Sequence, residues 1–359
     1  MQSSNDVKKG CSSELLSNRI VVVYAADDNY AYLAGVSMLS LLCNCKADMD
    51  IYVLDDNISK ENKQKLLSIA EQKEFKDNSR LFFIDMKSAI EDIKSKTNRS
   101  YGLVLDGHKS FTAYSRLYLS DLMPENINKV LYLDCDIVIA AQGIEELFNI
   151  AFENGKIMAA ATDYANQEYK EWLGIPRQEK YYNSGVMLID LEAWRSSQCS
   201  DIIFKHMTEH GCVGYPFADQ DYINLCLRDK IQTIPLKYNV QTPNFMYPSY
   251  MSVKCAYNVN SKNYYRKYEY KTAVKNPVCI HYSGMAFIRP WYKNSNHPKK
   301  EKWLNYFYQS PWKDKDLNIW PKNKYIMVRE LMYKLLPPSL NGFISGFFLR
   351  DAMRKAYRH

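Results

Sequence analysis

The chain lacks any apolar stretch near the ~20 residues that a membrane-spanning helix requires. Its opening segment, Met1–Arg19, is polar and has no apolar core of the secretory kind. Neither a spanning nor a secreted protein is expected. Paired cysteine motifs are also missing. Nine cysteines lie scattered over 359 residues, an odd number with no CxxC and no zinc-like spacing. A disulfide scaffold and a structural zinc site are therefore not expected, and reduced thiols point to the cytosol. There is no internal repeat and no recognised RNA- or DNA-binding module, so no nucleic-acid partner is expected. Hydrophobic residues at 47% and charged residues at 24% exclude a mainly disordered, collagen-like or coiled-coil chain.

A strong excess of one charge is absent too, with 47 basic against 40 acidic residues and a formal net charge of +7. The excess is uneven. From Trp291 to His359 there are 14 Lys and Arg against 5 Asp and Glu, which leaves 33 basic and 35 acidic residues before it. A nearly neutral body carries a basic tail, and the expected division is 1–19, 20–291 and 292–359.

Along the body, short apolar runs alternate with amphipathic segments. Ile20–Ala26, Asp50–Leu54, Leu81–Ile84, Lys129–Leu133, Ile157–Thr162 and Tyr182–Asp190 read as strands. Tyr32–Leu42, Lys60–Phe75 behind a Ser59 cap, and Phe111–Leu122 read as helices. This alternation predicts an α/β domain with a mostly parallel sheet. Asn258–Asn276, rich in Tyr, Lys and Asn, reads as a loop region, and a helical pattern returns from Pro298.

Leu131–Val138 reads LYLDCDIV, an apolar strand running into Asp134 and Asp136. Ligands bind at the carboxyl ends of strands in α/β sheets, and residues two apart on an extended segment share a side. Two carboxylates there suit Mg²⁺ or Mn²⁺ held jointly with substrate phosphates. The same residues also fit a solvated loop after a strand. They fit, too, the nucleophile strand of haloacid-dehalogenase-type phosphatases, in which the first Asp takes the phosphoryl group. That strand usually stands near the start of such chains, whereas at least three strand candidates precede it here.

Further blocks accompany it: Ala25-Ala26-Asp27-Asp28-Asn29-Tyr30, Thr112–Leu117, Tyr182–Leu188, Asp219-Gln220-Asp221, and His281-Tyr282-Ser283-Gly284 followed by Arg289-Pro290-Trp291. In this order they resemble the family-8 glycosyltransferases, in particular bacterial lipopolysaccharide galactosyl- and glucosyltransferases, from about Ile20 to Trp291. The resemblance implies a GT-A fold, a UDP-sugar donor, Mn²⁺ with Mg²⁺ as an alternative, and transfer with retention of configuration. It implies Asp134, Asp136 and His281 as metal ligands, a mixed N/O set that favours Mn²⁺. Ala25, Asp27 and Asn29 match the loop that holds uracil and ribose. Arg116 matches a position that ties carboxylates together, and Gly284 one that lets the backbone approach the diphosphate.

The family's Lys before Pro-Trp is replaced by Arg289, two residues further from the His; a planar guanidinium suits phosphate oxygens. His108 resembles a diphosphate or acceptor contact. Asp163, Asn183 and Asp219 are expected on sugar hydroxyls or acceptor. Gln220 is expected to act by position, since an amide is a poor nucleophile.

In the tail, Tyr325, Met327, Leu331, Met332 and Leu335 recur at helical spacing among Lys324, Arg329 and Lys334. Phe343, Ile344, Phe347, Phe348 and Leu349 precede Arg350, Arg354, Lys355 and Arg358. This is the composition of helices that lie on anionic membranes. A helical subdomain packed on the body fits the same pattern. A hexosyltransferase peripheral to the inner face of the cell membrane, acting on a glycan or glycolipid, is the expectation. A Mg²⁺-dependent phosphatase and a non-catalytic sugar-nucleotide-binding protein are the alternatives.

Overall fold

A computed structural model describes residues 19–88, 111–210, 215–247, 249–259, 262–284 and 286–356. Among these residues ten strands form two sheets: β1 Ile20–Asp27, β2 Met49–Asp56, β3 Ser79–Asp85, β4 Lys129–Leu133, β5 Ile137–Ile139, β6 Met158–Thr162, β7 Tyr182–Asp190, β8 Ile231–Thr233, β9 Val240–Gln241 and β10 Cys279–His281. The larger sheet runs β3-β2-β1-β4-β7-β6-β8, and the smaller β5-β10-β9. β3, β2, β1 and β4 pair in parallel, as do β6 and β8. β7 is antiparallel to both neighbours.

β1 is apolar from Ile20 to Ala26 because helices cover both of its faces, and only its last residue, Asp27, is charged. Val22 and Tyr24 join the cluster under α1 (Ala31–Asn44), while Val21 and Val23 join the one on the opposite face. α2 (Lys60–Ala70) starts where the Ser59 hydroxyl accepts the Asn62 N–H at 3.2 Å.

Three expected elements differ. The helix expected over Lys60–Phe75 ends at Ala70, where turns take over. Phe111–Leu122 is an α-turn, a 3₁₀ turn over Ser115–Tyr118 and a second α-turn. Ser115 Oγ takes the Thr112 carbonyl at 2.8 Å and Arg116 Nε that of Ala113 at 3.2 Å, and such bonds compete with the regular ladder. Within Asn258–Asn276, expected as a loop, Lys267–Lys275 is helical. It buries only Tyr270 and Ala273, too narrow an apolar stripe to stand out among Tyr and Lys, and is capped by a 2.6 Å bond from the Arg266 N–H to Glu269. The longer helices in the rest of the body are α3 (Cys199–Glu209), α4 (Asp219–Leu227), α5 (Tyr250–Tyr257) and α6 (Lys267–Lys275).

The tail consists of α7 (Lys300–Phe307), α8 (Lys324–Leu335) and α9 (Pro338–Ala356). Its packing continues that of the body: Trp303, Phe307 and Trp312 are buried in the cluster under α1. A Cβ on Gly35 of α1 would collide with the Trp312 ring. α9 lies on α5 so closely that a Cβ at Gly342 or Gly346 would meet the backbone of Ser252, Cys255 and Ala256. Trp291 thus marks a change of charge rather than of packing. Among the described residues every cysteine is a free thiol, and no helix is long and apolar enough to cross a membrane.

Candidate active site

β4 ends at Leu133, and the chain turns at once into β5. The Asp134 N–H bonds the Gly185 carbonyl at 2.9 Å, and the Ile137 N–H reaches back to the Asp134 carbonyl at 3.3 Å. Asp134 and Asp136 therefore share a side because of a tight turn, not because the segment is extended as the spacing suggested. Cys135 points away, its thiol 3.1 Å from the Ala25 carbonyl. β10 runs beside β5 with His281 opposite Ile137. This register carries the ring to the carboxylates: Nε2 lies 3.1 Å from Asp136 Oδ1 and 3.6 Å from Asp134 Oδ2. One potential ligand atom from each residue lies within 4.8 Å of the other two.

These residues fit a hard or borderline divalent cation, with two carboxylate oxygens and one imidazole nitrogen. Two further features fit the same use. The carbonyl oxygen of the buried Asn239 lies 2.9 Å from His281 Nδ1, so Nδ1 carries the proton and Nε2 is turned to the carboxylates. Gly185 leaves the room: a Cβ there would strike the His281 ring and sit 2.8 Å from Asp134 Oδ2. Burial disfavours the His281 cation, yet the carboxylates of Asp136 and Asp134 outweigh it and raise the pKa. Burial likewise opposes the charged form of Asp136, and the His281 charge and hydrogen bond win, lowering its pKa.

Arg116 is buried behind the turn. It pairs with Asp134 Oδ1 at 2.8 Å and Asp219 Oδ2 at 3.1 Å, donates to the Ser184 carbonyl at 2.8 Å, and lies over the Tyr132 ring at 4.5 Å. Asp219, the first residue of α4, also accepts from Ser184 Oγ at 2.8 Å. Its pKa is pushed up to about 6, chiefly by burial, with Arg116 pulling the other way and Asp134 adding to the rise.

A second cluster adjoins the first. Asp163 Oδ2 accepts from Gln220 Nε2 at 2.9 Å and Asn183 Nδ2 at 3.2 Å. Gln220 Oε1 in turn accepts from Asn183 Nδ2 at 2.9 Å and the Ser184 N–H at 3.2 Å, while its Nε2 also reaches Tyr181 Oη at 3.2 Å. Every polar position of the Gln220 amide is engaged. Asn239 Nδ2 donates to Asn183 Oδ1 at 2.7 Å, which joins this cluster to His281.

Asp134, Asp136, Asp163, Asn183, Gln220 and His281 face one cavity of about 650 Å³, together with Arg116, Asp219, Gly284 and Arg289. Gly284 has φ +73°, and nothing lies within 4 Å of where its Cβ would be. Arg289 stacks on Trp291 at 5.4 Å, and its charge acts on Asp136. Ala25, Asp27 and Asn29 lie at the end of β1, whose neighbour β4 leads into Asp134. They sit beside the cavity rather than in its lining. Asp27 Oδ1 is engaged by the Tyr30 N–H at 2.8 Å. His108 lies outside the described residues.

Several site residues carried no sequence signal. Asn239 stands in an ordinary Lys-Tyr-Asn-Val stretch. Asp221 stands out in the sequence only as the end of the Asp-Gln-Asp block, yet it accepts from the hydroxyls of Tyr169 (2.7 Å) and Tyr181 (2.5 Å) and so braces Gln220. Val328, Arg329, Met332, Ser345 and Phe348, all from the tail, line the same cavity.

Comparison with known proteins agrees with this geometry. General stress protein A of Bacillus subtilis (strain 168) is 28% identical over 295 residues, 81% of this chain and 94% of that protein. Lipopolysaccharide 1,2-glucosyltransferase of Escherichia coli (strain K12) is 26% identical, covering 82% of this chain and 79% of that one. Lipopolysaccharide 1,3-galactosyltransferase of Salmonella typhimurium is 25% identical over 82% of this chain and 80% of its own. The fold matches the crystal structure of the galactosyltransferase LgtC in complex with donor and acceptor sugar analogs, with a TM-score of 0.61, 22% identity, and coverage of 81% of this chain and 96% of that one. The sequence model "Glycosyl transferase family 8" matches residues 21–295, and the chain belongs to that family.

Proposed function

We propose that the protein is a retaining hexosyltransferase that moves glucose or galactose from a UDP-sugar to a cell-surface glycan or glycolipid such as lipopolysaccharide. The observation that carries the reading is the meeting of Asp134, Asp136 and His281 in one cavity with Arg289 and the Asp163–Asn183–Gln220 cluster. A bound Mn²⁺, or Mg²⁺, would supply Lewis-acid stabilisation of the departing diphosphate. Asp134, Asp136 and His281 would hold it, and Arg289 would add charge on the same side. Ala25, Asp27 and Asn29 would take the uracil and ribose at the end of β1, and Gly284 would let the backbone approach the phosphates.

Asp163, Asn183 and Asp219 would orient sugar or acceptor hydroxyls. Gln220 acts by position, because its carbonyl oxygen already accepts two hydrogen bonds. The phosphatase alternative is disfavoured at Asp134. A phosphoryl-accepting carboxylate needs an unencumbered oxygen, and here Oδ1 pairs with Arg116 while Oδ2 faces His281. A non-catalytic sugar-nucleotide binder has no need of a complete ligand set beside ordered sugar-binding groups.

The tail supports placement in the cytoplasm at the inner face of the membrane. Leu331 and Leu335 are exposed on α8, whose sequence also carries Lys324, Arg329 and Lys334, and Phe343 and Phe347 are exposed on α9. Flotation with vesicles containing anionic lipid should fall when Phe343 and Phe347 are replaced by Ser, and unchanged flotation would remove the membrane reading. The function itself is tested by a screen of UDP-sugars for Mn²⁺-dependent UDP release. Asp136→Asn should abolish that release, and full activity in the variant would sink the assignment.

A further inference from the structure

We propose that α8 and α9 form one wall of the acceptor subsite, and that this wall takes an acceptor whose sugar carries an apolar aglycone, as a glycolipid does. The inference rests on the transferase reading above. The cavity has two unlike sides. One is the polar floor of metal ligands, Asp163 and Gln220. The other is made by Val328, Arg329 and Met332 of α8, Ser345 and Phe348 of α9, and Phe287. A sugar nucleotide satisfies the floor; of the other lining residues named only Arg329 carries a charge, and Phe287, Val328, Met332 and Phe348 offer hydroxyls nothing to bond. Ser345 Oγ there bonds Asn341 at 3.0 Å, and Arg329 donates to Tyr333 Oη at 2.9 Å while lying over the Phe287 ring at 5.8 Å. What the wall offers is chiefly C–H surface, which gains by covering apolar groups and loses by covering hydroxyls.

The wall is part of the fold rather than a loose end. Gly342 and Gly346 seat α9 against the α5 backbone, and the hydroxyls of Tyr333 and Tyr247 meet at 2.9 Å. Ile326 at the start of α8 packs with Phe287 and Ile288. An apolar path also leads outward. Val328 and Phe348 are 56% and 57% exposed where the cavity meets solvent. Met327, Leu331 and Leu335 form a neighbouring stripe on the same helix, all more than half exposed. An aglycone lying against Met332 and Phe348 would continue along that stripe. The residues of α8 and α9 concerned stand beyond the segment matched by the family model, which ends at residue 295.

The test compares pairs of acceptors that share one sugar: n-octyl β-galactoside against free galactose, and n-octyl β-glucoside against free glucose. The ratio of kcat/KM within a pair cancels any general loss of fold or of donor binding. The full chain should prefer an octyl glycoside by roughly tenfold or more, as burial of a few methylenes implies. Met332→Gln and Phe348→Ser should each collapse that ratio, and Met332→Leu should keep it. A ratio near one in the unaltered chain, or a ratio that neither polar variant moves, overturns the subsite and leaves the transferase reading standing. A chain that turns over no UDP-sugar with any acceptor or with water overturns the transferase reading and the subsite with it.

Discussion

Asn239 holds His281 through a hydrogen bond of 2.9 Å at Nδ1, and so decides what the other ring nitrogen presents to Asp134 and Asp136. An amide oxygen can only accept, so Nδ1 carries a proton and Nε2 is the nitrogen left to face the carboxylates, where it would give up its proton to ligate a bound cation. Asn239→Ala would leave the ring free to choose either tautomer. Mn²⁺ affinity, measured by the paramagnetic resonance of free Mn²⁺, should fall by about 10- to 100-fold, the usual cost of losing such an orienting partner. An unchanged affinity would show that the bond has no part in metal binding.

Gln220 is pinned between Asn183, Ser184, Asp163 and Tyr181. Gln220→Ala should lower kcat by about 100-fold, as expected when a positioned cluster slackens. Mass spectrometry of the unaltered chain during turnover should reveal no glycosyl adduct at this residue. A trapped adduct on Gln220 would establish it as the nucleophile and end the positional account.

His297 is buried between the rings of Phe245 and Tyr282, and its Nδ1 accepts the Lys299 N–H at 3.0 Å. Burial, helped by the Lys299 charge, depresses its pKa from 6.5 to about 3. The folded protein therefore keeps the ring neutral while the unfolded chain protonates it near its ordinary value. Stability from this group is complete above pH 6.5 and is lost progressively as the pH falls towards 3. Denaturant melts across that range should show the slope, and His297→Asn, which retains an acceptor, should flatten it. A slope that survives the substitution would assign the acid sensitivity elsewhere.

Gly346 touches backbone rather than a flexible side chain, so the neighbour of any added Cβ has nowhere to go. Gly346→Leu should loosen α9 from α5 at a cost of about 1–3 kcal/mol, the range for overpacking a close contact. Limited proteolysis should then cut the segment after α8 faster than in the unaltered chain. Equal cleavage rates would mean that the helix is held by other contacts.

The strands β1, β2, β4 and β7 and the cap at Ser59 were legible from residue order, because apolar run length and capping chemistry are local properties of the chain. So were the carboxylate pair at the end of β4 and the blocks that place the chain in its family. Other features depend on residues far apart in sequence. That Asp134 and Asp136 share a side follows from a turn closed by Gly185 and a register that sets His281 beside Ile137. The orienting role of Asn239 exists only because β9 lies next to β10. The helix at Lys267–Lys275 was hidden by its narrow buried face. The basic tail shows the contrast most plainly. Its composition spoke of charge and exposed apolar groups, whereas two glycines pressed against α5 turned the same residues into a wall of the cavity. Local pattern specifies what an element is, and long-range packing specifies what it faces.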